Sequence, residues 1–118
     1  MQGPPLDIDL SFFTGRTLIQ VCFGAHDLIL TFDEHVSISI ESSVGWRSAD
    51  QAPNVFKELK DVAPVVLKLL NAPVLSATTD GDRSLSLEFA EGNTLYIYNS
   101  NQHYESYNIW HCDRLFVV

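Results

Sequence analysis

Positive charge is scarce in this sequence: seven lysines and arginines stand against fifteen aspartates and glutamates, a formal charge of -8 over 118 residues. Binding to nucleic acid or to an anionic membrane surface draws on clustered Lys and Arg, so the balance excludes both as backbone-driven functions and favours a basic partner. No apolar run approaches the roughly 20 residues of a membrane-spanning helix. The first residues, Met1 to Asp9, lack the basic and apolar regions of a secretory signal, and the expectation is a cytoplasmic protein. Cysteine is limited to Cys22 and Cys112, without C-x-x-C spacing, which predicts two buried free thiols and no disulfide framework. Glycine occurs only singly, so no phosphate-cradling loop is encoded.

What is present is the composition of one ordinary folded domain, with 46% hydrophobic and 19% charged residues. Comparing residue n with residue n + 57 exposes an internal repeat. Leu18 falls on Leu75, Gly24 on Gly81, Leu28 on Leu85, Leu30 on Leu87, Phe32 on Phe89 and Glu34 on Glu91, while Ile38 and Ile40 fall on Leu95 and Ile97. Within each copy apolar residues alternate with period two, the mark of half-buried strands. Leu28 to Phe32 and Val36 to Ile40 predict a hairpin turned at Asp33-Glu34; Leu85 to Phe89 and Leu95 to Ile97 predict another, turned at Glu91-Gly92-Asn93. A strand ahead of each, Leu18 to Phe23 and Val74 to Thr79, makes two three-stranded antiparallel meanders. Leu6, Ile8, Leu10 and Phe12 also alternate and predict a further strand ending at Thr14-Gly15.

Between the halves, Ser42 to Pro53 reads as a polar loop. Residues 54–71 carry Val55, Leu59, Val62, Val66 and Leu69 at helical spacing. Pro64 lacks an amide hydrogen and must kink this helix or start a second one. All three lysines lie in this segment, which leaves the sheets to the acids. The tail, with Tyr107, Ile109, Trp110 and Leu115 to Val118, predicts a C-terminal β-hairpin. The expected fold is therefore α+β in a single domain over 1–118, with a first β unit at 1–42, a kinked helical segment at 54–71 and a second β unit with the C-terminal strands at 74–118.

Sites of chemistry are weakly encoded. His111 and Cys112 are strand neighbours whose side chains point to opposite faces, and His26 and His35 bracket one strand, so neither pair can share a metal ion or form a nucleophile–base couple. Neither cofactor nor metal is expected. The acids lie at turns and edges and do not pair in an apolar cleft, so catalysis is not expected. The distinctive feature is aromatic. The outward positions of the second copy's last strand are Thr94, Tyr96 and Tyr98, against Ser37 and Ser39 in the first copy, and Tyr104, Glu105, Tyr107 and Trp110 follow closely. Tyrosine and tryptophan beside acids form the composition of a recognition surface. Trp46, beside Arg47 in the polar loop, is a second exposed aromatic.

The stretches Leu18-x-x-Val21-Cys22-Phe23-Gly24, Leu28-x-Leu30-x-Phe32, Leu69-Leu70-Asn71-Ala72-Pro73-Val74 and Tyr104-Glu105-Ser106-Tyr107-x-Ile109 resemble a group of small bacterial domains of unknown function. Members of that group share a helix ending before a strand, an acidic-glycine hairpin and a Tyr-Glu-x-aromatic motif. The chain departs from it at Asn71, where a glycine cap is expected, so the left-handed helix end falls on asparagine. The resemblance implies a bacterial, cytoplasmic protein and assigns no catalytic residue. In size and charge the chain is similar to immunity proteins that block basic toxins. The function expected is thus non-enzymatic protein binding, in its most concrete form neutralisation of a basic toxin. Two alternatives are a homodimer formed through the aromatic face and a small-molecule or enzymatic cleft between the halves.

Overall fold

A computed structural model describes residues 10–48, 54–56, 59–79, 84–98, 107–111 and 114–117. It is mostly antiparallel sheet with one short helix. Among the described residues ten strands run in chain order as β1 (Leu18–Phe23), β2 (Leu28–Phe32), β3 (Val36–Ile40), β4 (Val44–Arg47), β5 (Asn54–Phe56), β6 (Val74–Thr79), β7 (Leu85–Phe89), β8 (Thr94–Ile97), β9 (Tyr107–His111) and β10 (Arg114–Val117). The helix, α1, spans Ala63–Leu67. The strands form two five-stranded sheets, ordered β1-β2-β3-β9-β10 and β5-β4-β8-β7-β6. Each sheet therefore holds three consecutive strands from one half of the chain and a hairpin from the other.

The period-two pattern produces these strands because it gives each one an apolar face. Leu28, Leu30, Phe32, Val36, Ile38 and Ile40 of the first sheet and Leu85, Leu87, Phe89, Leu95 and Ile97 of the second are buried in one shared core. Fully burying each such side chain contributes about 1.5–3 kcal/mol. The core is completed by Phe13, by Val62, Val66 and Leu69 of the helical segment, and by Tyr107 and Ile109 of β9. The two hairpins pair in matching registers, Leu28 with Ile40 and Leu30 with Ile38 in one, Leu85 with Ile97 and Leu87 with Leu95 in the other.

The two sheets meet where the starts of β1 and β6 run antiparallel. Gly15 N–H donates to the Val74 carbonyl at 2.8 Å, Asn71 N–H to Leu18 at 2.7 Å, Leu18 N–H to Ala72 at 3.2 Å and Val74 N–H to Arg16 at 2.8 Å. Gly15 and Asn71 both adopt left-handed backbone there, with φ of +83° and +72°. Asn71 is left-handed, but it is not the helix end expected there: α1 stops at Leu67 with Lys68 as its right-handed C-cap, and Asn71 closes the turn that follows. The Asp33 carboxylate accepts the Thr17 N–H at 3.0 Å and lies 3.9 Å from the Arg16 guanidinium.

Several expectations are corrected. The polar loop 42–53 contains β4, and the start of the supposed 54–71 helix is β5, paired with β4 through Val44–Phe56 and Trp46–Asn54. Beyond β5 the chain makes a 3-10 turn at Leu59–Val62 and then α1, with Pro64 in its first turn, so the segment is broken there as the proline requires. Ser11–Phe13 is a 3-10 turn and not a strand; residues 1–9 lie outside the described residues. Cys22 is exposed. A bulge at Ile19 shifts the parity of β1, so that Cys22 pairs across from outward-facing Ile29 while Val21 turns inward. Cys112 lies outside the described residues.

Substitutions at two positions test the junction. Asp33→Ala removes the acceptor of the Thr17 N–H and should lower stability by about 1–2 kcal/mol, while Asp33→Asn, whose amide oxygen still accepts, should recover most of that loss. Asn71→Ala should cost about 1 kcal/mol at its positive φ, and Asn71→Gly should be neutral or stabilising. Urea unfolding midpoints compared with wild type measure both.

Candidate functional site

On β8 the alternation sends Leu95 and Ile97 into the core and leaves Thr94 and Tyr96 on the outer face, with Tyr98 continuing that face just past the strand. Tyr98 N–H donates to the Ser43 carbonyl at 3.2 Å, which extends the β8–β4 ladder by one step. The two tyrosine rings stack with centroids 6.2 Å apart and planes 14° from parallel, and both residues are half-buried. Across the strands, Tyr96 stands opposite Gly45 on β4 and Ser86 on β7, and Thr94 opposite Arg47 and Glu88. The face is thus an aromatic pair bordered by one cation and one anion. The Glu88 carboxylate accepts the Ser76 hydroxyl at 3.2 Å.

Gly45 makes this arrangement fit. A Cβ added there would lie 2.5 Å from the Tyr98 hydroxyl oxygen and 2.9 and 3.0 Å from two of its ring carbons. The tyrosine ring rests on bare backbone, and any larger residue there would make the ring shift.

The structure does not gather the other aromatics to this face. Tyr107 is buried at 1% exposure in the core of the first sheet, so it is not a surface residue. Trp110 is 43% exposed, but it sits on the outer face of the first sheet, opposite Ser37 on β3. Trp46 is not in a loop: it lies on β4 and packs against the core. Tyr104 and Glu105 lie outside the described residues. Among the described residues expected from the sequence, Tyr96 and Tyr98 alone come together. Gly45, Arg47 and Glu88 join them unforeseen; the one sequence signal for β4 is the apolar pair Val44 and Trp46 around Gly45.

The charge is distributed differently from the expectation that the sheets are acidic. Among the described residues, Asp27, Asp33, Glu34 and Glu41 occupy turns and strand ends, and Glu88 is the one acid within a strand. Acids therefore rim the sheets and leave their outer faces nearly neutral. His26 and His35 are exposed in turns, and His111 stacks on Phe12 with centroids 4.1 Å apart and planes at 6°. Among the described residues no three His, Cys, Asp or Glu side chains converge to hold a metal ion, and no helix is long and apolar enough to cross a membrane.

Comparison with protein families, curated proteins and solved structures returned no match. The functional reading therefore rests on the chemistry of the face itself. Two stacked phenols offer a rigid apolar area with two hydroxyls at its edge, which suits protein recognition because little rotamer entropy is lost on contact.

The Gly45–Tyr98 contact predicts a coupled pair. Gly45→Ala should destabilise by about 1–3 kcal/mol by overpacking against the ring. In a Tyr98→Ala background the same change should cost much less, so a double-mutant cycle in thermal or urea unfolding should give a coupling of about 1 kcal/mol or more.

Proposed function

We propose that this chain is a non-enzymatic binding protein whose partner is a basic protein, with neutralisation of a basic bacterial toxin as its most concrete form. The observation that carries the proposal is the stacked Tyr96–Tyr98 pair on a nearly neutral sheet face, inside a chain whose charge is -8. Hot-spot residues in protein interfaces are enriched in tyrosine and tend to lie centrally, within a rim that excludes water. The chain's excess of acids supplies long-range attraction for a cation-rich surface, while the tyrosines supply the short-range anchor. The resemblance to small bacterial domains and a cytoplasmic location belong to the same proposal. So does the view of the chain as two similar three-stranded units 57 residues apart, which the equal hairpin registers support.

Self-association is the second reading. It is favoured by the edge strands β5 and β10, by exposed Ile19 and Leu75 on β1 and β6, and by exposed Trp110 on the outer face of the first sheet, since open edges and exposed apolar side chains invite a second copy.

The test is affinity capture of basic proteins from bacterial extract, followed by association kinetics with the captured protein. Added salt should slow association steeply, and Tyr96→Ala with Tyr98→Ala should weaken the complex by tenfold or more while the fold is kept. An association rate indifferent to salt, or an unchanged affinity in the double variant, would count against this function. A wild-type dimer in light scattering that the same double variant converts to a folded monomer would favour self-association instead.

A further inference from the structure

The main-chain bonding repeats itself between the two halves more closely than the side-chain pattern does. Phe13 N–H donates to Leu10 and Leu69 N–H to Val66; Thr14 to Ser11 and Leu70 to Leu67; Arg16 to Phe13 and Ala72 to Leu69. Each second bond is the first shifted by 56 residues. The junction bonds are related in the same way but reciprocally: Gly15 to Val74 becomes Asn71 to Leu18, and Leu18 to Ala72 becomes Val74 to Arg16. Adding 56 to one partner while subtracting it from the other is what a two-fold axis between the strands produces. The axis passes at the Thr17–Pro73 bridge, and it relates the two left-handed residues Gly15 and Asn71.

The same axis relates the sheets. Read from the bridge outward, one sheet runs β1-β2-β3-β9-β10 and the other β6-β7-β8-β4-β5. Strand β4 pairs with β8 through Val44–Ile97, and β9 pairs with β3 through Tyr107–Ile40. The bulge falls at the same point in β1 and β6, just after Leu18 and just after Val74, both of which are buried opposite a phenylalanine, Phe32 or Phe89. Leu18 thus corresponds to Val74 and not to Leu75, which is 49% exposed.

The geometry points to a fused pseudo-dimer: two equivalent units, 10–56 and 59–117, that each keep three strands and give their last two to the other's sheet, so that a second copy of the chain can take the place of either unit. Neither unit completes a sheet alone, because its third strand needs the other unit's hairpin as its neighbour. Only Lys57 and Glu58 separate β5 from the second unit's first helical turn. A short connection between two interlocked units favours exchange between chains, since every contact except that connection is the same in the exchanged form. This inference does not depend on the tyrosine face or on any basic partner.

Two full-length variants test it by carrying the same lesion in equivalent places, Leu30→Asp in the first unit and Leu87→Asp in the second. Both leucines are at 0% exposure, and each variant alone should be unfolded, since a carboxylate there has no partner. Refolded together in equal amounts, the intact first unit of one chain should combine with the intact second unit of the other. The expected product has twice the chain mass, a β-sheet circular dichroism spectrum and a cooperative melt. A mixture as unfolded as its separate components would overturn the inference. If either variant keeps its fold, Phe32→Asp and Phe89→Asp replace the pair. Wild type gives an independent measure. Refolding at rising concentration should yield an increasing share of dimer that mixing of native chains does not, and Tyr96→Ala with Tyr98→Ala should leave that share unchanged. Monomer alone at every refolding concentration would count against exchange.

Discussion

The four main-chain hydrogen bonds that cross between Gly15–Leu18 and Asn71–Val74 are the constraint on which the rest of the structure depends. They join the edges at which the two sheets meet, and they do so beside the buried side chains Leu18 and Val74, where an unpaired amide would cost a large part of a small domain's stability. The left-handed turns at Gly15 and Asn71 aim each N–H across the junction. At the bridge between them, Thr17 has an N–H that Asp33 accepts, whereas its opposite number Pro73 has none to satisfy. With the junction fixed, the inner faces of the two sheets are held over one another and the core between them closes.

That junction also explains which parts of the fold were legible in the sequence. The β2–β3 and β7–β8 hairpins arise from local alternation, because their partners lie a few residues away and one face must be buried. Strand β4 was hidden because its central partner is distant, Val44 pairing with Ile97, and β5 because its three residues are too few to show an alternation. Val55 and Phe56 fall on a helical spacing with Leu59 and Val62 by coincidence of composition. Pro64 was a reliable signal because its effect is covalent and local, and Asn71 because asparagine tolerates the left-handed region better than most residues.

The candidate site was half legible for the same reason. Tyr96 takes the outward parity of a strand readable from sequence. The surroundings of Tyr107 and Trp110 depend instead on β9 joining the first sheet, where one becomes core and the other lands on the outer face of the sheet that does not carry the tyrosine pair. Cys22 shows how little shifts an assignment: one bulge residue, Ile19, reverses every side chain after it.

Comparing equivalent positions of the two sheets separates what the fold demands from what it leaves open. Inward positions keep their character, Leu28 with Leu85, Leu30 with Leu87, Phe32 with Phe89 and Ile40 with Ile97, since both sheets close on one core of fixed volume. Outward positions do not: Thr31 stands where the second sheet has Glu88, Ser39 where it has Tyr96, Asn108 where it has Gly45, and Trp110 where it has Arg47. These positions take the outward parity of their strands, so the packing of the core constrains them less. At Gly45 the bare backbone and the Tyr98 ring are matched to each other, since a Cβ there would lie 2.5 Å from the tyrosine hydroxyl oxygen.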